Sequence, residues 1–337
     1  MECGWQTGQG LEALAGVWGR RPRGLSGLFK EEIPMFQLTA LFNALPGSIA
    51  QGLIWGIMAV GVYITYKVLD YADLTVDGSI ATGGAVAVMV MLSGRNVYVA
   101  LLAATLAGMA AGLATGLFHA AFGIPAILSG ILSQLGLYSI NMRIMGKSNQ
   151  AISVDQYDLL LSLREIPRAI FVSFVFCAVM IGILYWFFGT ELGRAVRATG
   201  NNENMSRAQG INTKTMKVIG LMISNGLVGL AGGLYAQYQG NADINMGRGA
   251  IVIGLAAVII GGVLFGRVFR NFALRMTGVI IGAVLYFVVI AVVLWLGLET
   301  TDMKLISALI VAAFLAVPYL KAQYDAGHIR KGGGGNA

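Results

Sequence analysis

Three carboxylates stand close together in Leu69-Asp70-Tyr71-Ala72-Asp73-Leu74-Thr75-Val76-Asp77-Gly78, a polar stretch between two apolar runs. A metal site would ask for more oxygen ligands at tighter spacing. A polar turn that caps the following helix, with Asp77 near its N-terminus, makes the smaller demand on the chain. The other reactive side chains are few. His119 ends an apolar run and His328 lies near the C-terminus; Cys3 is near the N-terminus and Cys177 lies within an apolar run. Neither pair has a third member for a zinc site, a haem pair or a Cys/His dyad, and no nucleophile has a base beside it. The sequence therefore predicts no catalytic residue and no resident metal or cofactor.

What must position the remaining polar groups follows from composition. Charged residues make up 12% of the 337 and apolar residues 57%, with a mean hydropathy of +0.74. A soluble domain of this length could not cover that much apolar side chain, which excludes a cytosolic enzyme, a nucleic-acid-binding domain and a disordered chain. The expected fold class is all-α, a polytopic membrane helical bundle with about 8–9 transmembrane helices. Its net charge of +7 is read as basic cytoplasmic loops rather than a nucleic-acid surface.

Nine apolar runs are candidate spans: 49–66, 79–93, 97–119, 124–140, 170–188, 218–238, 251–265, 272–296 and 305–319. A span takes about 20 residues, so the short second and seventh runs are expected to be broken or re-entrant helices. With an outside start, twelve Lys and Arg face the cytoplasm and seven face outward. Arg20, Arg21, Arg23 and Lys30 would raise the outward count to eleven and erase that bias. Residues 1–34 are therefore read as a disordered or mis-annotated extension with translation starting at Met35. The alternative is a real cytoplasmic tail and an even number of spans. The transmembrane domain is expected over 35–321, followed by a flexible cytoplasmic tail at 322–337.

No apolar run has a charge near its middle, which counts against an ion-coupled carrier. The remaining polarity is mild: Ser129, Ser133 and Gln134 in the fourth run, and Ser224 and Asn225 in the sixth. These could line a path for a polar solute, or they could serve as interhelical hydrogen bonds worth about 1 kcal/mol or less. Gly108, Gly112 and Gly116 recur at four-residue spacing, as do Gly229 and Gly233, and mark faces for close helix packing.

The longest basic connection, 189–217, reads GTELGRAVRATGNNENMSRAQGINTKTMK. Asn201 or Asn202 can cap a helix, Glu203 suits its first turn and Gly210 can end it, so a short helix is expected over 203–209. Asn212 or Thr213 can cap the next span. Such a capped helix, with Met205 and Ala208 on it, suits a groove on another protein, although a simple turn would also satisfy the pattern. On the other side, 141–169 is the longest outward connection; a short helix is expected over 155–163, with Arg164 and Arg168 on a surface that meets a partner or lids the path.

The pattern LGRAVRATGNNENMSRAQGIN…K…GLMISNGLVGLAGGLYAQYQG resembles the coupling loop and next helix of permease subunits of ABC importers, in the branch of branched-chain amino-acid and ribose permeases. The opening GLIWGIMAVGVYITYKVLDYADLTVDGSIATGGAV is similar to the same branch, and the likeness runs from about Met35 to Lys321. The resemblance implies that Gly200, Asn201, Glu203, Met205, Ala208, Gly210 and Ile211 carry contact with an ATPase subunit. The sequence holds no G-x-x-x-x-G-K-[ST], so ATP with Mg would be bound and hydrolysed on that separate subunit. The resemblance further implies two permease copies, an external solute-binding protein, a bacterial inner-membrane location and, by subgroup, an amino-acid solute. The competing reading is a secondary transporter or channel.

Overall fold

The computed structural model describes residues 35–153, 157, 159–266, 268–269, 271–296 and helical positions at 305, 308, 309, 311–313 and 316, with side chains from residue 41 onward. Expectations for 1–34, for the tail and for most of the ninth run lie outside the described residues. Contacts group residues 1–39 apart from 40–337, and the described part of the first unit is helical backbone at 35–39.

The described chain is a helical membrane bundle. In order it runs α1 (Met35–Tyr63), α2 (Val76–Leu92), α3 (Val97–Ala120), α4 (Ala126–Met145), β1 (Asn149–Ala151), α5 (Ile166–Gly189), α6 (Glu191–Asn201), α7 (Glu203–Ala208), α8 (Thr213–Gln239), β2 (Asn241–Asp243), α9 (Ala250–Phe265) and α10 (Phe272–Trp295). α1, with the π-helical turn Ile64–Val68 that continues it, and α3, α5, α8 and α10 are long and apolar enough to cross a membrane. α1 and α8 sit inside the bundle, 78% and 61% buried over their most apolar windows, whereas α5 is 22% buried and peripheral.

Glycine decides how α3 meets α8. A Cβ on Gly108 or Gly112 would run into the backbone carbonyls of Asn225 or Leu221, and one on Gly116 would come within 3.0 Å of the Val218 Cα. Gly229 faces back onto Ala104 and Gly108, and Gly233 onto the methyls of Ala87 and Ala104. Only hydrogen at these positions lets the two backbones approach so closely, and dispersion over that contact replaces the hydrophobic drive that lipid does not supply.

α2 and α9 are 17 and 16 residues long, which at 1.5 Å per residue is about 25 Å, short of the ~30 Å hydrocarbon layer. Both begin deep in the bundle. The start of α2 lies beside Asn225, midway along α8, and α2 then follows α8 toward its C-terminal end, where Gly83 meets Gly229. α9 begins beside the first turn of α2 and runs the opposite way, to the pairing of Gly261 with Gly278 at the start of α10. The two short runs are thus helices short of a full span whose N-termini meet inside protein.

Two features depart from expectation. The pair β1–β2, antiparallel with Asn149 opposite Asp243, joins the connections after α4 and α8; three-residue strands are too short to show a period. The helix expected over 155–163 is absent over its described positions at 159–163. Leu161 is instead buried, and the Leu160 N–H bonds the Gln237 side-chain oxygen at 3.3 Å, so tertiary contacts hold this stretch in bends and a turn.

Candidate functional site

At the end of the bundle opposite β1–β2, the sequence folds into a tight string of capped helices. Thr190 caps α6, accepting from the Gly193 N–H at 3.3 Å. Asn202 ends α6 and caps α7 at once, its Oδ1 accepting from the Met205 N–H at 3.0 Å. α7 closes with the Gly210 N–H on the Arg207 carbonyl (2.9 Å) and the Ile211 N–H on the Ser206 carbonyl (3.0 Å), a Schellman pattern. It needs a left-handed residue, and Gly210 supplies φ +82°. Asn212 then caps α8 through the Thr215 N–H at 3.2 Å. Of the paired sequence alternatives, Asn202 and Asn212 are the caps, and α7 stops at Ala208 with Gln209 as its C-cap. α6 was not anticipated as a helix of its own; its Thr190 cap, three residues before Gly193, was the available signal.

Glu203 fastens α7 to α8. Its carboxylate takes Arg207 at 2.5 Å and Lys217 at 2.7 Å, and accepts from the Thr213 hydroxyl at 3.2 Å. The hydrogen bond from Lys217, aided by its charge and by Thr213 and Arg207, holds the Glu203 carboxyl below its ordinary range. The residues that the sequence grouped here divide by direction. Met205 (59% exposed), Ala208 and Asn201 face outward, while Glu203 turns back to α8 and Ile211 packs on the core. Gly200 lies against the Val68 carbonyl and Leu69, where a Cβ would not fit, and so seats α6 on the end of α1.

Along α8 this end connects to a buried polar network. The Asn225 amide donates to Asp73 Oδ2 at 2.7 Å and to the Leu221 carbonyl at 3.0 Å, and its oxygen accepts from Ser79 at 2.6 Å. The second Asp73 oxygen accepts from the Thr75 N–H at 2.9 Å. A second relay runs from Thr75 to Thr115 to Ser133, each step 2.7 Å. Asp77, in the first turn of α2, caps a different helix from the one expected: its oxygens accept from the N–H groups of Gly249 (3.0 Å) and Ile251 (2.9 Å) at the start of α9. Asp73 and Asp77 thus lie among the helices while Asp70 is exposed, so the turn does more than cap the helix that follows it. Sequence distance hides this, since Asp73 and Asn225 are 152 residues apart.

The polar side chains considered for a solute path are placed as follows. Ser133 and Asn225 belong to the network just described. Ser224 donates to the Gly61 carbonyl at 2.8 Å, and Ser129 to the carbonyls of Ile124 and Pro125 on its own turn. Gln134 is half-buried. Among the described residues, no three His, Cys, Asp or Glu side chains come together as metal ligands.

Comparison with known proteins identifies relatives of the chain. The family model described as the permease component of branched-chain amino-acid transport systems matches residues 45–317. A tyrosine transport system permease protein of Clostridioides difficile is 43% identical over 79% of this chain and 88% of its own length. An uncharacterised protein of Rickettsia prowazekii is 33% identical over 83% of this chain and 99% of its own. The ribose import permease of Escherichia coli K12 is 27% identical over 67% of this chain and 70% of its own. No solved structure matches the chain.

Proposed function

Because the chain belongs to the permease-component family of branched-chain amino-acid transport systems, we propose that it works as the membrane half of an ABC importer for an amino acid, with an aromatic side chain favoured. The support for the solute is the likeness to the tyrosine transport permease, which covers most of both chains. ATP with Mg is held and split on a separate ATPase subunit, a second permease copy completes the pathway, and an external solute-binding protein delivers the solute. The location is the bacterial inner membrane, with α6 and α7 on the cytoplasmic side, in keeping with Arg194, Arg197, Arg207, Lys214 and Lys217 in that connection.

The observation that carries the proposal is α7. A helix of six residues is too short to be stable alone, yet here it has a cap at each end and an ionic tie to α8 through Glu203 and Lys217. Its outward face presents Met205 and Ala208, an adaptable apolar pair suited to a groove on the ATPase. A push on α7 reaches α8 through Glu203. α8 in turn holds Ser79 and Asp73 through Asn225, and Asp77 joins α2 to α9. Movement of the partner would thereby shift two short helices whose N-termini meet in the middle of the bundle, where a solute has to pass.

Cysteines placed at 204, 205 and 208 of the assembled, transporting complex should crosslink to the ATPase subunit. Failure at all three would remove the coupling role from α7. Uptake that persists without the ATPase subunit would favour a secondary carrier instead.

A further inference from the structure

A cleft of about 690 Å³ opens between the end of α5, the start of α6 and the start of α10, lined by Tyr185, Trp186, Phe188, Thr190, Arg197 and Asn271 among others. Its wall on α5 belongs to the least buried span of the bundle, and Trp186 there is 72% exposed. Exposed Trp and Tyr at the end of a span mark the headgroup level of a bilayer, so the cleft mouth lies at that depth. Across from them the Arg197 guanidinium rests 4.8 Å from the Phe272 ring centre. That contact restrains the cation and leaves N–H donors for an oxyanion. Arg197 has no carboxylate partner among the described residues. Tyr185 and Trp186, both exposed, supply the apolar surface that an acyl chain needs beside the charge.

We propose that this cleft binds an acidic membrane phospholipid, its phosphate on Arg197 and its chains along the Tyr185–Trp186 flank of α5. Guanidinium offers a paired N–H geometry that suits phosphate. A zwitterionic headgroup neutralises its own phosphate, whereas an acidic one brings net negative charge to an uncompensated cation. The inference goes beyond the transport reading and depends on it only for the cytoplasmic placement of α6.

Trp186 makes the site self-reporting. The full permease, alone and assembled with its ATPase subunit, would be placed in vesicles containing brominated phosphatidylglycerol or brominated phosphatidylcholine. The signal of Trp186 is the difference from a Trp186→Phe variant. Quenching of that signal should reach its midpoint at about fivefold less phosphatidylglycerol than phosphatidylcholine, in the permease alone and in the complex. Arg197→Gln should abolish the preference and Arg197→Lys should retain part of it. Equal quenching by the two lipids in the wild-type complex overturns the proposal without recourse to any charge variant. So does a preference that survives Arg197→Gln. A preference seen in the permease alone but lost in the complex also overturns it, by assigning the cleft to the ATPase.

Discussion

Gly112 tests whether the α3–α8 crossing has the tightness described. An added Cβ would fall onto the Leu221 carbonyl oxygen, 2.7 Å from its carbon and 3.0 Å from the Asn225 Cβ. Two of those atoms are backbone and cannot rotate away, so in Gly112→Ala the helices must part by roughly 1 Å, enough to forfeit a quarter to a half of each contact's dispersion energy. Overpacking of this kind costs about 1–3 kcal/mol. The gain from replacing glycine inside a helix is about 1 kcal/mol; because the clash here is with backbone that cannot rotate away, the cost falls in the upper part of its range and the net loss should approach about 2 kcal/mol, larger for Gly112→Leu. Gly136 and Gly182 are the controls: a Cβ there meets nothing within 4 Å. Gly136→Ala and Gly182→Ala should therefore be neutral, or stabilising by up to about 1 kcal/mol. Thermal unfolding of the purified protein in one detergent would rank all four variants against wild type. If Gly112→Ala melts with wild type or with the two controls, the backbone contact is not what holds α3 to α8.

Met205→Asp should leave membrane insertion intact, because the side chain is exposed at the surface of α7, and should abolish ATPase co-purification and uptake together through an unpaired desolvated charge. Glu203→Gln should loosen α7 from α8; hydrogen exchange of α7 amides should rise while exchange in α3 is unchanged. The Glu203 carboxyl is held below its ordinary range, so its contribution is fully present above that range and is lost as pH falls through the lowered value. Exchange of α7 should accordingly be flat from neutral pH down to the usual carboxylate range and climb only below it, after correction for the pH dependence of intrinsic exchange. Asn225→Ala should cost roughly 1–3 kcal/mol in thermal stability, since it strips Asp73 and Ser79 of a buried partner, and the double variant with Asp73→Asn should recover part of that loss.

The sequence by itself determined the membrane bundle, the positions of its first eight apolar helices and the capped helix at 203. Composition, run length and cap chemistry are local properties, and each acts within a few residues of where it is read. The shortness of the second and seventh runs already pointed to helices that fall short of a full span, read there as broken or re-entrant. Only the tertiary structure decided what those helices do with their buried ends: Asp77 caps α9 from 172 and 174 residues away, and Asp73 answers Asn225. The same holds for direction within the coupling segment. Gly200, Glu203 and Met205 look alike as motif positions, yet Gly200 seats α6 on α1, Glu203 locks α7 to α8 and Met205 alone of the three presents an exposed apolar side chain. The strands β1 and β2 were invisible for the same reason. Each depends on which distant backbone lies opposite, and three residues carry too little pattern to say so.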